Sequence, residues 1–251
     1  MRTQRRLYER RLTMADMAPR LSDFRLQHPL RVRWGEVDLQ KIVFNPHYLM
    51  YVDTAIADYW RAIALPYEES LRALGGELFV KKSSLEFHAS AQYDDRLVVG
   101  LRCARIGNSS LQFLSGIFRD DVLLVSAELI YVFADPVKKT SLPVPAALRN
   151  TMLEFENGRT VVQTQASDWK IAALAVQALR PTDDKDLSAL HCVVTNALGA
   201  PVATARLCTD SHVADGIAAA PTLRGAGWGR FAAATLLAQA QPGNYTSSSS
   251  V

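Results

Sequence analysis

"VDLQKIVFNPHYLMYVDTAIADYW", residues 37–60, decides how this chain folds. After Asn45-Pro46 the apolar residues Tyr48, Leu49, Val52, Ala55, Ile56, Tyr59, Trp60 and Ile63 recur at spacings of three and four. Asp53, Asp58 and Arg61 fall on the opposite side. The spacing predicts an amphipathic helix of about five turns, with a wide aromatic stripe suited to packing across a sheet. Asn45 is a favoured N-cap and Pro46 suits the first helical position, where no N–H is needed. Leu65-Pro66 is the expected stop, because proline disfavours helical geometry in the residue before it. Asp38 stands seven residues ahead of Asn45. A carboxylate there suits a cap, an Asx-turn that orders the loop, or a catalytic group.

Outward from that helix the periodicity changes. Residues 30–36, "LRVRWGE", alternate as a strand, and "YEESLRALG" reads as a short helix ending at Gly75-Gly76. Alternation with period two then takes over. It runs through Leu85, Phe87 and Ala89, through Val99, Leu101 and Cys103, through Leu111, Phe113 and Ile117, and through Val125 to Phe133. The turn residues "QYDD", "IGNSS" and "RDD" separate the runs. The expectation is an α+β unit: a strand, a long helix, then four strands in an antiparallel meander wrapping the helix. "PVPAALRNTMLEFEN" closes it with a helix. Beyond Asn157-Gly158 the sequence turns alanine-rich, which predicts a boundary near residue 158. The expected organisation is a basic tail over 1–28, a first domain over 29–157, a smaller segment over 158–240, and a disordered polar tail over 241–251.

Composition excludes several function classes. With 49% apolar and 21% charged residues the chain reads as a soluble globular protein. A net charge of +3 does not argue for nucleic acid. Much of that excess lies in "MRTQRRLYERR", read as a frayed tail or as residues upstream of the true start at Met14 or Met17. No apolar run reaches the roughly 18 residues of a membrane span. Three cysteines and five histidines without metal-ligand spacing predict no metal site, and the thiols suit a reducing, cytoplasmic setting.

"RVRWGEVDLQKIVFNPHYLMYVDTA" resembles the first strand, catalytic-aspartate loop and central helix of the 4-hydroxybenzoyl-CoA thioesterase family. The similarity continues through "LEFHASAQYDDRLVVGLRCARIGNSSLQF" and "YVFADPVKKTSLPVPAALR", so it covers roughly residues 29–152. It implies a hotdog fold, hydrolysis of acyl-CoA thioesters and assembly as a homodimer or homotetramer. It implies that Asp38 acts as base or nucleophile and that the Asn45 amide polarises the thioester carbonyl. Family members usually carry glycine where this chain has Lys41. A positive φ there would strain Lys41, whose ammonium could instead meet a phosphate or carboxylate of the substrate. His47, beside the site, suits orienting substrate or simple solvation.

The later part is similar to something else. "LHCVVTNALGAPVATARL" and "APTLRGAGWGRFAAATLLAQA" resemble the core of GNAT-type N-acetyltransferases. Arg224, Gly225, Gly227 and Gly229 match that family's pyrophosphate loop, which implies weak CoA binding at the start of a helix. The elements that would follow Ala240 in that family are missing from the pattern, so an incomplete α/β segment without transferase activity is expected. No other cofactor is expected. A non-catalytic acyl-CoA-binding module and a bifunctional thioesterase/N-acetyltransferase are the alternative readings.

Overall fold

The computed structural model describes residues 19–208, 213–239 and 246–247, the last two by backbone alone. The expected N-terminal basic tail lies largely outside the described residues. The first unit comprises β1 (Leu26–Arg31), α1 (Asn45–Ala62), α2 (Tyr67–Leu74), β2 (Glu77–Phe87), β3 (Arg96–Ile106), β4 (Ser110–Arg119), β5 (Val122–Ala134) and α3 (Ala146–Glu156). Its five strands form one antiparallel sheet in the order β1-β3-β4-β5-β2. The aromatic stripe of α1 packs on that sheet as expected, with Tyr48, Tyr59, Trp60, Leu101, Phe113 and Phe133 in one buried core.

Several expectations need correction. Only β3, β4 and β5 form a meander, because β2 crosses over to pair with β5 at the far edge. There its two faces are mostly exposed, and residues 77–84 carry no clean alternation. The first strand lies earlier than residues 30–36, since the half-buried residues are Leu26, His28 and Leu30, while Trp34–Glu36 form a 3₁₀ turn.

Helix α1 also begins and ends differently. Phe44 has extended backbone angles and is the cap, so Asn45 is the first helical residue. At the other end Ala64 takes a left-handed φ of 57°. The Leu65 amide bonds the Trp60 carbonyl and the Ala64 amide bonds the Arg61 carbonyl. This is a Schellman turn, which stops the helix before Pro66 has any say.

The second unit holds β6 (Gln163–Ser167), α4 (Trp169–Leu179), β7 (Leu190–Thr195), β8 (Pro201–Cys208), β9 (Val213–Ala219), α5 (Trp228–Gln239) and β10 (Thr246–Ser247). The sheet order is β10-β9-β8-β7-β6. Two residues of the tail expected to be disordered pair in parallel with Val213 and Ala214. The rest of 241–251 lies outside the described residues. The two units touch: the Trp228 indole donates to the Arg61 carbonyl at 2.8 Å, and the Asn196 amide donates to the Ala64 carbonyl at 3.1 Å.

Candidate active site

The loop before α1 is a small closed hairpin. Val37 and Val43 form an antiparallel bridge, and the Asp38 amide bonds the Ile42 carbonyl at 2.9 Å. The Lys41 amide bonds the Asp38 carbonyl at 2.9 Å, closing the turn. Lys41 has φ of 62°, so this position does take the left-handed conformation that favours glycine. Asp38 is half-buried, and one carboxylate oxygen accepts the Gln40 amide at 2.8 Å. It therefore orders the loop as an Asx-turn, and its other oxygen has no partner among the described residues.

The helix start supplies the complementary group. The Phe44 amide is used by the Glu36 carbonyl, Pro46 has no N–H, and the His47 amide bonds the Phe44 carbonyl. Among the described residues the Asn45 amide alone in this first stretch finds no acceptor. It sits at the positive end of α1, where an oxygen carrying negative charge is favoured.

Two phenols of α1 hold this geometry. The Tyr51 hydroxyl donates to Glu36 at 2.6 Å, and the Ala91 amide donates to the Tyr48 hydroxyl at 2.9 Å. Glu36 is buried, which by itself raises its pKa. Bonds from the Arg33 amide, the Tyr51 hydroxyl and the Arg33 guanidinium outweigh burial and hold it below the usual carboxylate range. Burial, with Glu36 beside it, pushes the Tyr51 phenol well up. Sequence reasoning missed Glu36 because it assigned residues 30–36 to a strand. The Arg33 amide and guanidinium both donate to Glu36 at 2.8 Å, and in the sequence that three-residue spacing looks no different from an exposed ion pair. His47 is half-buried, with Nδ1 unpartnered and its ring edge-on to Phe44 at 6.2 Å.

The remaining predicted residues are elsewhere. Arg224 and Gly225 line a cleft with Asp58, Arg61 and Ala62 at the C-terminal end of α1, with Gly227 and Gly229 following in the same segment, and Asn45 lies about 24 Å from Arg61 along the helix axis. Gly225 and Gly227 have φ of 84° and 86°, and a Cβ on Gly229 would lie 2.8 Å from Ile217. The amides of Gly227, Trp228 and Gly229 find no acceptor among the described residues. A 3₁₀ turn, Pro221–Leu223, stands between β9 and this loop. Among the described residues no cluster of three or more potential metal ligands occurs, and no helix is long and apolar enough to cross a membrane.

Residues 40–126 match the family model described as "Thioesterase superfamily". They are a thioesterase-superfamily domain. The match contains Lys41, Asn45 and His47 and begins two residues after Asp38. The chain is 26% identical over 121 residues to an acyl-CoA thioester hydrolase, YbgC, of Escherichia coli O6:H1, covering 48% of this chain and 90% of that protein. It is 21% identical to the acyl-CoA thioesterase YbgC of Haemophilus influenzae, covering 48% of this chain and 89% of that one. A thioesterase-superfamily crystal structure from Jannaschia sp. CCS1 superimposes with a TM-score of 0.50 at 22% identity, covering 55% of this chain and 96% of that one. That likeness supports the hotdog fold. The second unit lies beyond the family match.

Proposed function

We propose that the protein hydrolyses acyl-CoA thioesters to the free acid and CoA, at the start of α1. The observation that carries this is the pairing of one unbonded amide, Asn45, with a partly engaged carboxylate, Asp38, on a loop closed against the same helix end. The amide would bond the thioester oxygen as negative charge develops on it. Asp38 would act through its free oxygen, either taking a proton from water as water attacks the carbonyl carbon, or attacking that carbon itself. In the first route the C–S bond breaks, the thiolate leaves and is protonated. In the second the C–S bond breaks and the thiolate leaves as an Asp38–acyl anhydride forms, and water then hydrolyses the anhydride and frees the Asp38 carboxylate. Lys41 and His47 flank the site and are assigned to substrate contact. The names of the YbgC relatives support the substrate class. A panel of acyl-CoAs assayed beside Asp38→Asn tests the reading. Hydrolysis by wild type that survives in the variant at near-normal rate removes Asp38 from the mechanism. An absence of hydrolysis across the panel favours the acyl-CoA-binding module.

We further propose a dimer or higher assembly. The eleven-residue edge strand β2 is exposed along most of its length, with Val80 and Phe87 roughly half exposed, and an unpaired edge of that length invites a second copy. Light scattering that reports a monomer at micromolar concentration would count against it. For the second unit, the order β9, glycine-rich loop, α5 supports a GNAT-like reading without acetyl transfer. Transfer to an amine that disappears in Arg224→Ala would overturn that.

A further inference from the structure

Two clefts meet where the units join. The larger, about 580 Å³, lies between α1, α2 and the sheet, walled by Ile56, Trp60, Leu78, Phe113 and Tyr131. The smaller, about 540 Å³, lies between the end of α1 and the glycine-rich loop, lined by Asp58, Arg61, Arg224 and Gly225 among others. Arg61 and Thr222 line both. Each cleft has the size of an ordinary ligand pocket.

Their chemistry differs. The larger is apolar and aromatic. It holds one polar anomaly: Tyr131 is 6% exposed, and its buried hydroxyl lies near the Asp53 carboxylate yet makes no hydrogen bond of good geometry. Buried hydroxyls normally have a partner, so this one marks a place for a ligand oxygen. Exposed Asp53, Glu68 and Glu69 line the same cleft and would repel an anion there. At the other end Arg61 is paired with Asp58, which also meets His28. Arg224 has no ion pair among the described residues, and the Gly225 amide beside it in the cleft lining finds no acceptor among them. Anionic groups are therefore favoured at the second cleft and disfavoured at the mouth of the first.

We propose that the joined clefts form a binding site for a single-tailed acyl amphiphile with a phosphate-type head. The tail and its oxygen enter the aromatic chamber beside Tyr131, the chain passes Thr222, and the head meets Arg224 and Arg61. The site needs both units. It stands apart from the hydrolytic reading, since the Arg61 end is about 24 Å along α1 from Asn45.

Calorimetric titration of the full chain tests this with two probes that carry no scissile thioester, each below its micelle concentration. One is 1-lauroyl-glycerol-3-phosphate. The other is the ketone analogue of lauroyl-CoA, in which a methylene separates sulfur from the carbonyl. Stoichiometric binding of at least one probe is expected, and the tighter probe identifies a lipid or a CoA thioester as the source. Thr222→Trp, at an exposed position between the chambers, should weaken binding at least about tenfold, as should Arg224→Ala. Tyr131→Phe should weaken it about three- to tenfold. Asp38→Asn should bind 1-lauroyl-glycerol-3-phosphate, the probe without a CoA moiety, within about twofold of wild type. No binding of either probe overturns the proposal. So does wild-type affinity in both Thr222→Trp and Arg224→Ala, or loss of 1-lauroyl-glycerol-3-phosphate binding in Asp38→Asn, which would place the ligand at the other end of α1.

Discussion

The two units of this chain hold their sheets together by different means. In the first, strands β2 to β5 run 10 to 13 residues and bury large aromatic and aliphatic side chains against α1. In the second, β6 to β9 run 5 to 8 residues, and half of the buried residues in the core under α5 are alanine. Small side chains bury little apolar area, and each buried methylene contributes only about 0.8 kcal/mol. The second unit adds a buried ionic network. Arg206 bonds Asp215, Asp183 and Asp186, and Arg180 bonds Asp186. Burial alone would raise the Asp186 pKa, but bonds from Arg180, the Asp183 amide and Arg206 hold it well below the usual range. A sheet with a thin apolar core thus depends on charge pairing, whose removal leaves an uncompensated buried charge.

The largest effect should come from breaking that network. Asp186→Ala leaves Arg206 and Arg180 short of a partner in a site 1% exposed at the aspartate, and should cost about 3–5 kcal/mol in denaturant unfolding. A loss under about 1 kcal/mol would show the network to be dispensable and the contrast between the units to be superficial. The sign of its pH dependence follows from the depressed value. Its stabilisation is present above the unfolded aspartate's pKa, about 3.9, and is lost as pH falls toward the folded value.

Next in size is Asp38→Asn, which should lower kcat at least about a hundredfold, or about 2.7 kcal/mol, while thermal stability stays close to wild type. An equal loss of stability would recast Asp38 as a purely structural Asx-turn residue. Lys41→Gly relieves a left-handed lysine and should stabilise the first unit by about 0.5–1 kcal/mol, less than the full strain because glycine gains freedom when unfolded. It should also raise KM several-fold, and an unchanged KM would remove Lys41 from substrate contact.

The smallest effect sharpens the comparison of buried carboxylates. In the first unit Glu156 accepts the Tyr59 hydroxyl and the Cys103 amide, both at 2.7 Å, yet burial dominates and its pKa is raised. Its linkage runs opposite to that of Asp186. The contribution is full below the unfolded glutamate's pKa and declines as pH rises through the folded value. Glu156→Gln should remove that decline and stabilise by up to about 1 kcal/mol at pH 7, read from melts between pH 4 and 8. An unaltered pH profile would show that Glu156 does not titrate differently on folding.

The sequence by itself determined the helix over α1, the alternation of β3, β4 and β5, and the glycine that ends α2, because each depends on neighbours within one or two turns of chain. It also supplied Asp38 and Asn45 as a spaced pair, and raised the question of a positive φ at Lys41. Which strand lies beside which was not local: β2 reaches β5 only through a crossover, and an edge strand carries little alternation to announce itself. Helix α4 was missed because its run from Trp169 to Leu179 was read only as an alanine-rich stretch. The stop of α1 at Ala64 was hidden too, since alanine there gives no sign of left-handed geometry. Tertiary structure alone decided that Glu36, Tyr48 and Tyr51 brace the site loop. It alone placed Arg224 against the far end of α1 rather than beside Asp38, because a straight helix separates its two ends by its own length.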